Sequence, residues 1–554
     1  MNARTLGRTL RTIRHLRARQ AWAQLRYQLA PGVVPRSLPQ SATPDLAVRE
    51  TPTPFLPAPP HADFDGSLRL RLLHREVRFA ERIDWDWAAE GPLWAYHLHQ
   101  HDYLRLPDLS PTSRARTIAD WIERHPAGVG WDPHPLSLRI LNWSKLLLTP
   151  GALPAELDGG GAGATGRAMR HSLAEQVETL SRNLEVRLQA NHLLTNLIGI
   201  VFGGVLQEGA HAERWLACEG ALRHELEEQI LPDGAHVERS PMYHSILLEQ
   251  VLDLLNLARG GRRAPAALLQ CLERAAARML GALRVYTHPD GGIALFSDSA
   301  FELAHAPDAL TAYAASLGVA PRGPARPGVL DDAGYVRLAV DPFELLVSVA
   351  GPLPAHQPGH AHCDALSFEL CVGRERVVVD TGVTEYVPGA LRHVSRATRS
   401  HATLEVGGAE QAEIWGPHRV GGRPRVSLVH VEPGRRAEAT CAGWSTPETL
   451  HRRTWVVSAG RVEIRDRLSG QARPVRLTLP LAPGLEPDLG ADGRAELSLA
   501  GGVRLRIALP EGLAWRVERA PYFPEFGRQV ERACLVAEAP AGAFREGFWR
   551  FERR

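Results

Sequence analysis

The densest run of chemistry-bearing side chains is GHAHCDALSFELCVGRERVVVDTG, from Gly359 to Gly382. His360 and His362 are two residues apart, so in an extended segment both point to one face. The pattern predicts a strand over 366–372 and a return strand over 375–380, which brings Asp380 back to the same end. His401 follows in RSHATLEV, at the start of another strand. His362, Asp380 and His401 at converging strand ends would supply three of the four ligands that zinc prefers. The same three also read as ordinary polar strand ends. Cys363 would point the other way and reads as a small core residue. A second group lies upstream. QANHLLTN sets Asn191 and His192 just before an apolar run, where Asn also serves as a helix N-cap. DGAHVERSPMYHSILLEQ places Tyr243 and His244 in the first turn of a helix opened by Pro241. Arg239 lies one turn before Tyr243 if that helix begins early. HPDGGIALFSDSA (288–300) reads as a turn with a short apolar insert at a cleft.

Two kinds of sequence hold these groups. From 77 to 318 helical patterns recur: 113–124, 135–148, 169–188, 193–207, 213–230, 243–258, 265–286 and 301–317. The run LTNLIGIVFGGVLQ is apolar nearly all round and too short to span a bilayer, which predicts a buried helix. A linker follows over 319–332. From 333 to 554 short period-two runs rich in Val, Leu and Thr predict a large antiparallel sandwich. The Pro-rich stretch 31–76 reads as an extended connector. Residues 1–30 contain no acid and alternate Arg with Leu6, Leu10, Ile13 and Leu16. That is a basic amphipathic helix, expected to dock on the body with its Arg face solvated. Contact with an anionic membrane surface is the alternative. No apolar core follows the basic start, so no cleavable signal is expected. A cytoplasmic or inner-membrane-associated location is favoured, with a periplasmic one left open.

The bulk numbers exclude more than they assign. The chain has 554 residues and a formal net charge of +2, which gives no support to a nucleic-acid binder. No apolar run reaches the length of a transmembrane helix. Six cysteines are too sparse for a disulfide framework. The unusual count is 24 histidines, the side chain most used as acid, base or ligand near neutral pH.

PLWAYHLHQHDYL (92–104), GVGWDPHPLSLRILNW (128–143), NHLLTN, DGAHVERSPMYH, HPDGGIALFSD and GHAHCDALSFEL resemble consecutive motifs of the heparinase II/III family of polysaccharide lyases. Order and spacing agree over about residues 80–420, and the likeness weakens after about Arg425. The resemblance implies an incomplete (α/α) toroid followed by an antiparallel β-sandwich. It implies β-elimination on an anionic, uronate-containing polysaccharide. Such a reaction removes the proton on C5, beside the uronate carboxylate, and protonates the leaving glycosidic oxygen. Donors at the carboxylate stabilise the developing charge, and a positioned base and acid move the protons.

In the resemblance, Asn191 and His192 match the positions that neutralise the carboxylate. Tyr243 matches the tyrosine that serves as base, acid or both, and His360 the sandwich histidine that shares this work. His362, Asp380 and His401 match the structural zinc ligands of some members. A Tyr with a pKa near about 10 would lose its proton more easily beside a cation, which makes Arg239 a substrate-side expectation. Arg396 and Arg399 are candidate contacts for the anionic chain. The aromatics Trp94, Tyr96, Tyr103, Trp131 and Trp143 are candidate stacking platforms, Trp131 foremost. Two alternatives stay open: a uronyl C5-epimerase on the same scaffold, and a non-catalytic sugar-binding protein of an exopolysaccharide assembly system. Oligomeric state is not set by any of these residues.

Overall fold

The computed structural model describes residues 3–154 and 164–554. A helical half comes first and an antiparallel β half second. The helical half is an incomplete toroid built around Ala190–Leu206, whose side chains are all buried except that of His192. Its all-round apolar character follows from that central position. Gly203 and Gly204 permit the close approach of its neighbours. A Cβ on Gly204 would lie 2.5 Å from the backbone nitrogen of Leu216, and one on Gly203 would lie 2.6 Å from Val177 Cγ2. Gly204→Ala is therefore expected to destabilise the protein by about 1–3 kcal/mol through backbone displacement, read as a lower denaturant midpoint.

Most sequence-predicted helices appear with small boundary shifts, among them Pro111–Arg124, Pro133–Leu148, Pro241–Arg259 and Ala266–Tyr286. Three differ. The span 213–230 is two helices, Ala210–Leu216 and Glu219–Gln229. The last helix begins only at Pro307, because 301–306 is irregular chain ahead of a proline suited to the first turn. Ala164–Ser181 stops seven residues short of 188, and the chain then turns to present the next helix. The stretch 31–76 is more than a connector. Ala62–Phe64 and Arg69–Leu72 pair with each other, and Arg69–Leu72 with Arg75–Arg78. This small sheet packs on the toroid through Phe64, whose ring lies 5.3 Å from that of Tyr103.

The β half holds sheets of five, eight and four strands, all joined by antiparallel neighbours. The five-stranded sheet, with Phe343–Ser348 at its centre, packs against the eight-stranded sheet. Phe368 and Phe551 meet edge to face across that interface at 6.4 Å. Arg453 crosses it too. It is buried, pairs with Asp466 on its own sheet, and donates to the Leu366 carbonyl at 2.7 Å.

The N-terminal segment corrects the expected orientation. It forms two helices, Ala3–Ile13 and Ala18–Leu29, and it docks by its polar face. Arg11 binds Glu413 at 2.6 and 2.7 Å. Arg19 pairs with Glu225 at 3.0 Å. The apolar residues Leu6, Leu10 and Ile13 face outward.

Candidate active site

The site forms where the toroid meets the sandwich. Two helix starts come from the toroid side. Asn191 and His192 sit in the first turn of Ala190–Leu206, and Tyr243 in the first turn of Pro241–Arg259. The residues that aim these helices carry strain. Gln189, Ala190 and Arg239 have φ of 63°, 48° and 62°, a region that costs non-Gly residues about 1–3 kcal/mol each. Ser240 caps the second helix by accepting the Tyr243 N–H at 3.1 Å. Its hydroxyl also donates to the Asp298 carbonyl at 2.7 Å. One serine thus ties the tyrosine helix to the loop that carries Asp298.

Asp298 is the centre of the sandwich side. It is fully buried, and its carboxylate accepts His360 Nδ1 and His362 Nε2, each at 2.8 Å. Arg392 binds both of its oxygens, with Nη2 to Oδ2 at 2.8 Å. Burial alone would raise the Asp298 pKa. The Arg392 charge and the two imidazoles hold it well below the usual carboxylate range. A carboxylate only accepts, so each histidine presents an N–H to it. His360 is left with a lone pair on Nε2, which faces the Asn191 amide nitrogen at 3.4 Å. His360 and His362 therefore do not lie side by side on a strand face. They reach Asp298 from a loop, and each offers its other nitrogen to a different place.

Tyr243 stacks on His360 with ring centroids 4.2 Å apart, and its hydroxyl meets that of Tyr386 at 2.9 Å. Burial pushes the Tyr243 phenol up from its ordinary pKa, more than the Tyr386 hydrogen bond and Arg392 lower it. It is a protonated donor at neutral pH. Asn191 Nδ2 also donates to Glu238 at 2.7 Å. His192 lies half-buried, with Nδ1 3.1 Å from Glu185. Burial lowers the His192 pKa, but the Glu185 charge outweighs it and the net shift is upward. Burial would raise Glu185, yet His192 and His134 bring it down to about 2. Glu185 is thus ionised at neutral pH, and its charge favours the protonated form of His192. Tyr243, His360 and His192 line one cleft of about 410 Å³, with Tyr386, His418 and Tyr96.

The Glu185–His192 pair gives a pH prediction. Glu185→Gln keeps the hydrogen bonds to Asn196 but removes the charge that lifts His192. Burial, the opposing influence, then favours the neutral imidazole. Turnover at pH 7 is expected to fall about tenfold or more, with the alkaline limb of the pH–rate profile moved to lower pH. A profile identical to wild type would show that His192 acts without its charge.

Of the expected substrate contacts, Arg239, Arg396, Arg399 and Trp131 do not line this cleft. Arg239 is buried at the domain interface, donating to the Ala333 and Gly351 carbonyls and to Ser348. Its guanidinium lies 4.7 Å from the Tyr335 ring. Arg396 is buried as well and satisfies the carbonyls of Ala361, Gly416 and Pro417. Arg399 is exposed but held by Glu405 through two bonds of 3.0 Å. Trp131 is core: its indole donates to the His125 carbonyl at 2.9 Å and its ring lies 5.6 Å from Trp121. Tyr103 and Trp143 are buried with it, while Trp94 and Tyr96 do reach the cleft wall. Arg75, at the cleft mouth, is the arginine that sequence reasoning missed. Asp298, Arg392, Tyr386 and His418 were missed too. Asp298 lies inside a quoted motif; the others stand in segments with no distinguishing spacing.

His362, Asp380 and His401 do converge, with potential ligand atoms within 4.8 Å of one another. His401 Nδ1 bonds Asp380 at 2.8 Å. His362 Nδ1 and His401 Nε2 are buried and have no hydrogen-bond partner, which is the state of a nitrogen free to hold a metal. Cys363 stays apart, with its Sγ 3.8 Å from the Ala412 carbonyl. Burial pushes its thiol up, so it is the small core residue expected.

Two family models match the chain. The Heparinase II/III N-terminus matches residues 168–316, and the model described as Heparinase II/III-like, C-terminal, matches 322–543. FtsZ-localized protein C of Caulobacter vibrioides is 26% identical over 466 residues, which cover 78% of this chain and 75% of that protein. Heparin-sulfate lyase of Pedobacter heparinus is 26% identical over 322 residues, covering 52% of this chain and 46% of the lyase. Among solved structures, heparinase III superposes with a TM-score of 0.64 at 16% identity, covering 86% of this chain and 80% of its own. A mutant of heparan sulfate lyase HepC from Pedobacter heparinus gives a TM-score of 0.59 at 19% identity, with the same coverage. These structural likenesses share the toroid-then-sandwich fold.

Proposed function

The chain belongs to the heparinase II/III-like family, and on that premise we propose that it is a polysaccharide lyase that cleaves a uronic-acid-containing chain by β-elimination. The observation that carries this reading is the Tyr243–His360 stack with Asp298 behind it and Asn191 and His192 beside it. The uronate carboxylate sits against Asn191 and against His192, whose protonated form Glu185 favours. Its negative charge is thereby neutralised, and the C5 proton becomes more acidic. His360 Nε2 takes that proton; its Nδ1–H stays on Asp298, which stabilises the imidazolium that forms. The C4–O bond breaks as the C4–C5 double bond forms. Tyr243 gives its proton to the departing oxygen, consistent with a phenol whose pKa is raised. Of the roles the family tyrosine plays, the acid is the one this environment favours.

The clustering of these groups also weighs against epimerisation. An epimerase takes and returns the proton on opposite faces of the sugar. Here Tyr243, Tyr386 and His360 are gathered together. Nor would sugar binding alone need a carboxylate-held histidine against a tyrosine. The test is incubation with a panel of uronate polymers, including the host's own exopolysaccharide. A rise in ultraviolet absorbance from an unsaturated product supports the reading. Solvent deuterium entering C5 at constant chain length would replace it with the epimerase.

His362, Asp380 and His401 fit a structural zinc site by their donor set and their two unpartnered nitrogens. Bound zinc would supply a fixed anchor for three loop ends. His362 would then hold Asp298 with its other nitrogen. Elemental analysis of protein purified without chelator is expected to find about one zinc per chain. Chelation is expected to lower the melting temperature and the activity together. Metal-free protein with an unchanged melt would exclude the site.

A further inference from the structure

Exposed apolar side chains collect in the N-terminal segment of this chain. Twelve large hydrophobic residues stay exposed among the described residues, and eight of them lie between Leu6 and Val34. Leu6, Leu10 and Ile13 recur at helical spacing on Ala3–Ile13, and Trp22, Leu25 and Leu29 on Ala18–Leu29. Trp22 is 70% exposed and Leu29 80%. A helix that only packs on its own protein turns its apolar stripe inward and its charges to water. This pair does the reverse. Arg11 is locked on Glu413 and lies 5.6 Å from the Trp444 ring. Thr12 accepts the Trp415 indole at 3.1 Å. Arg17 and Arg19 pair with Glu228, and Gln20 is buried against the His356 carbonyl. The polar face is thus the anchor, and it holds the apolar stripes away from the body.

Charge identifies the occupant. No Asp or Glu occurs before Asp45. Arg14, Arg26 and Arg36 are exposed in the same segment as the apolar stripes. Trp and Leu bordered by arginine, without acids, match the boundary between lipid headgroups and acyl chains. Anionic headgroups add attraction for each nearby arginine. No described helix is long and apolar enough to cross a membrane, so the attachment this surface offers is peripheral. We propose that the N-terminal helix pair docks the protein on an anionic lipid bilayer. Trp22, Leu25 and Leu29 enter the interface with Leu6, Leu10 and Ile13, while Arg14 and Arg26 meet the phosphates. This does not depend on the lyase chemistry.

The test is sedimentation of the full chain with vesicles of phosphatidylglycerol mixed into phosphatidylcholine, against phosphatidylcholine alone. The wild type is expected to sediment with the anionic vesicles and to be released by salt. Trp22→Glu combined with Leu29→Glu should weaken that binding at least tenfold with an unchanged melting temperature, because both side chains are exposed. Arg14→Gln with Arg26→Gln should weaken binding to anionic vesicles only. Failure of the wild type to sediment overturns the proposal, as does a Trp22/Leu29 variant that binds like wild type. A dimer in light scattering that these glutamates split, without vesicle binding, would assign the face to a second copy instead.

Discussion

Tyr243→Phe is expected to lower kcat on the cognate polysaccharide by about 10²–10⁴-fold, with KM and fold nearly unchanged. The hydroxyl makes one hydrogen bond, to Tyr386, so its loss costs only about 1 kcal/mol of stability. The ring remains to stack on His360. His360→Ala is expected to lower kcat to a similar extent, because Nε2 is the lone pair aimed at the site. The two groups serve one elimination, so the double variant should be scarcely worse than either single one. Additive losses would mean two independent roles. A Tyr243→Phe enzyme with wild-type kcat would remove the proton-transfer role and return the site to sugar binding.

Asn191, His192, Tyr243 and His360 were singled out through motifs that resemble the family's, and the structure brings them together; their local spacing alone reads as ordinary helix starts and strand entries. The helix-then-strand division was legible from periodicity. What was illegible had a common cause. Arg239 and Arg396 look like substrate contacts by charge, yet they satisfy carbonyls of irregular loops. Buried backbone oxygens must find donors wherever sheets and helices do not supply them, and no local pattern marks which arginine is used. Arg392 reaches Asp298 from 94 residues away, and Tyr386 reaches Tyr243 from 143. Only the assembled domains bring them together. The N-terminal helices show the same limit in another form. Spacing reveals that a helix has two faces; the acids that capture one of them, Glu225, Glu228 and Glu413, lie hundreds of residues away.

Asp298→Asn is expected to give the second large loss, and of a different kind. The amide offers one accepting oxygen where the carboxylate offered two. Its NH₂ group faces donors: the His360 and His362 N–H groups and the Arg392 guanidinium. Arg392 is left buried without its counter-charge, which costs about 3–5 kcal/mol when one member of a buried pair is removed. The wild-type carboxylate has a depressed pKa, so its contribution is present above the ordinary Asp range and is lost as pH falls through its folded value. The Asn variant should lack that acid-sensitive part of the stability. Its kcat should fall about 10²–10⁴-fold, because His360 no longer holds its proton on Nδ1 with Nε2 free. A second substitution separates the two effects. Adding Arg392→Met removes the orphaned charge, so stability should recover in part. Activity should not recover, since His360 still lacks its carboxylate. If both recover, Asp298 serves the fold alone, and the base must be sought elsewhere in the cleft.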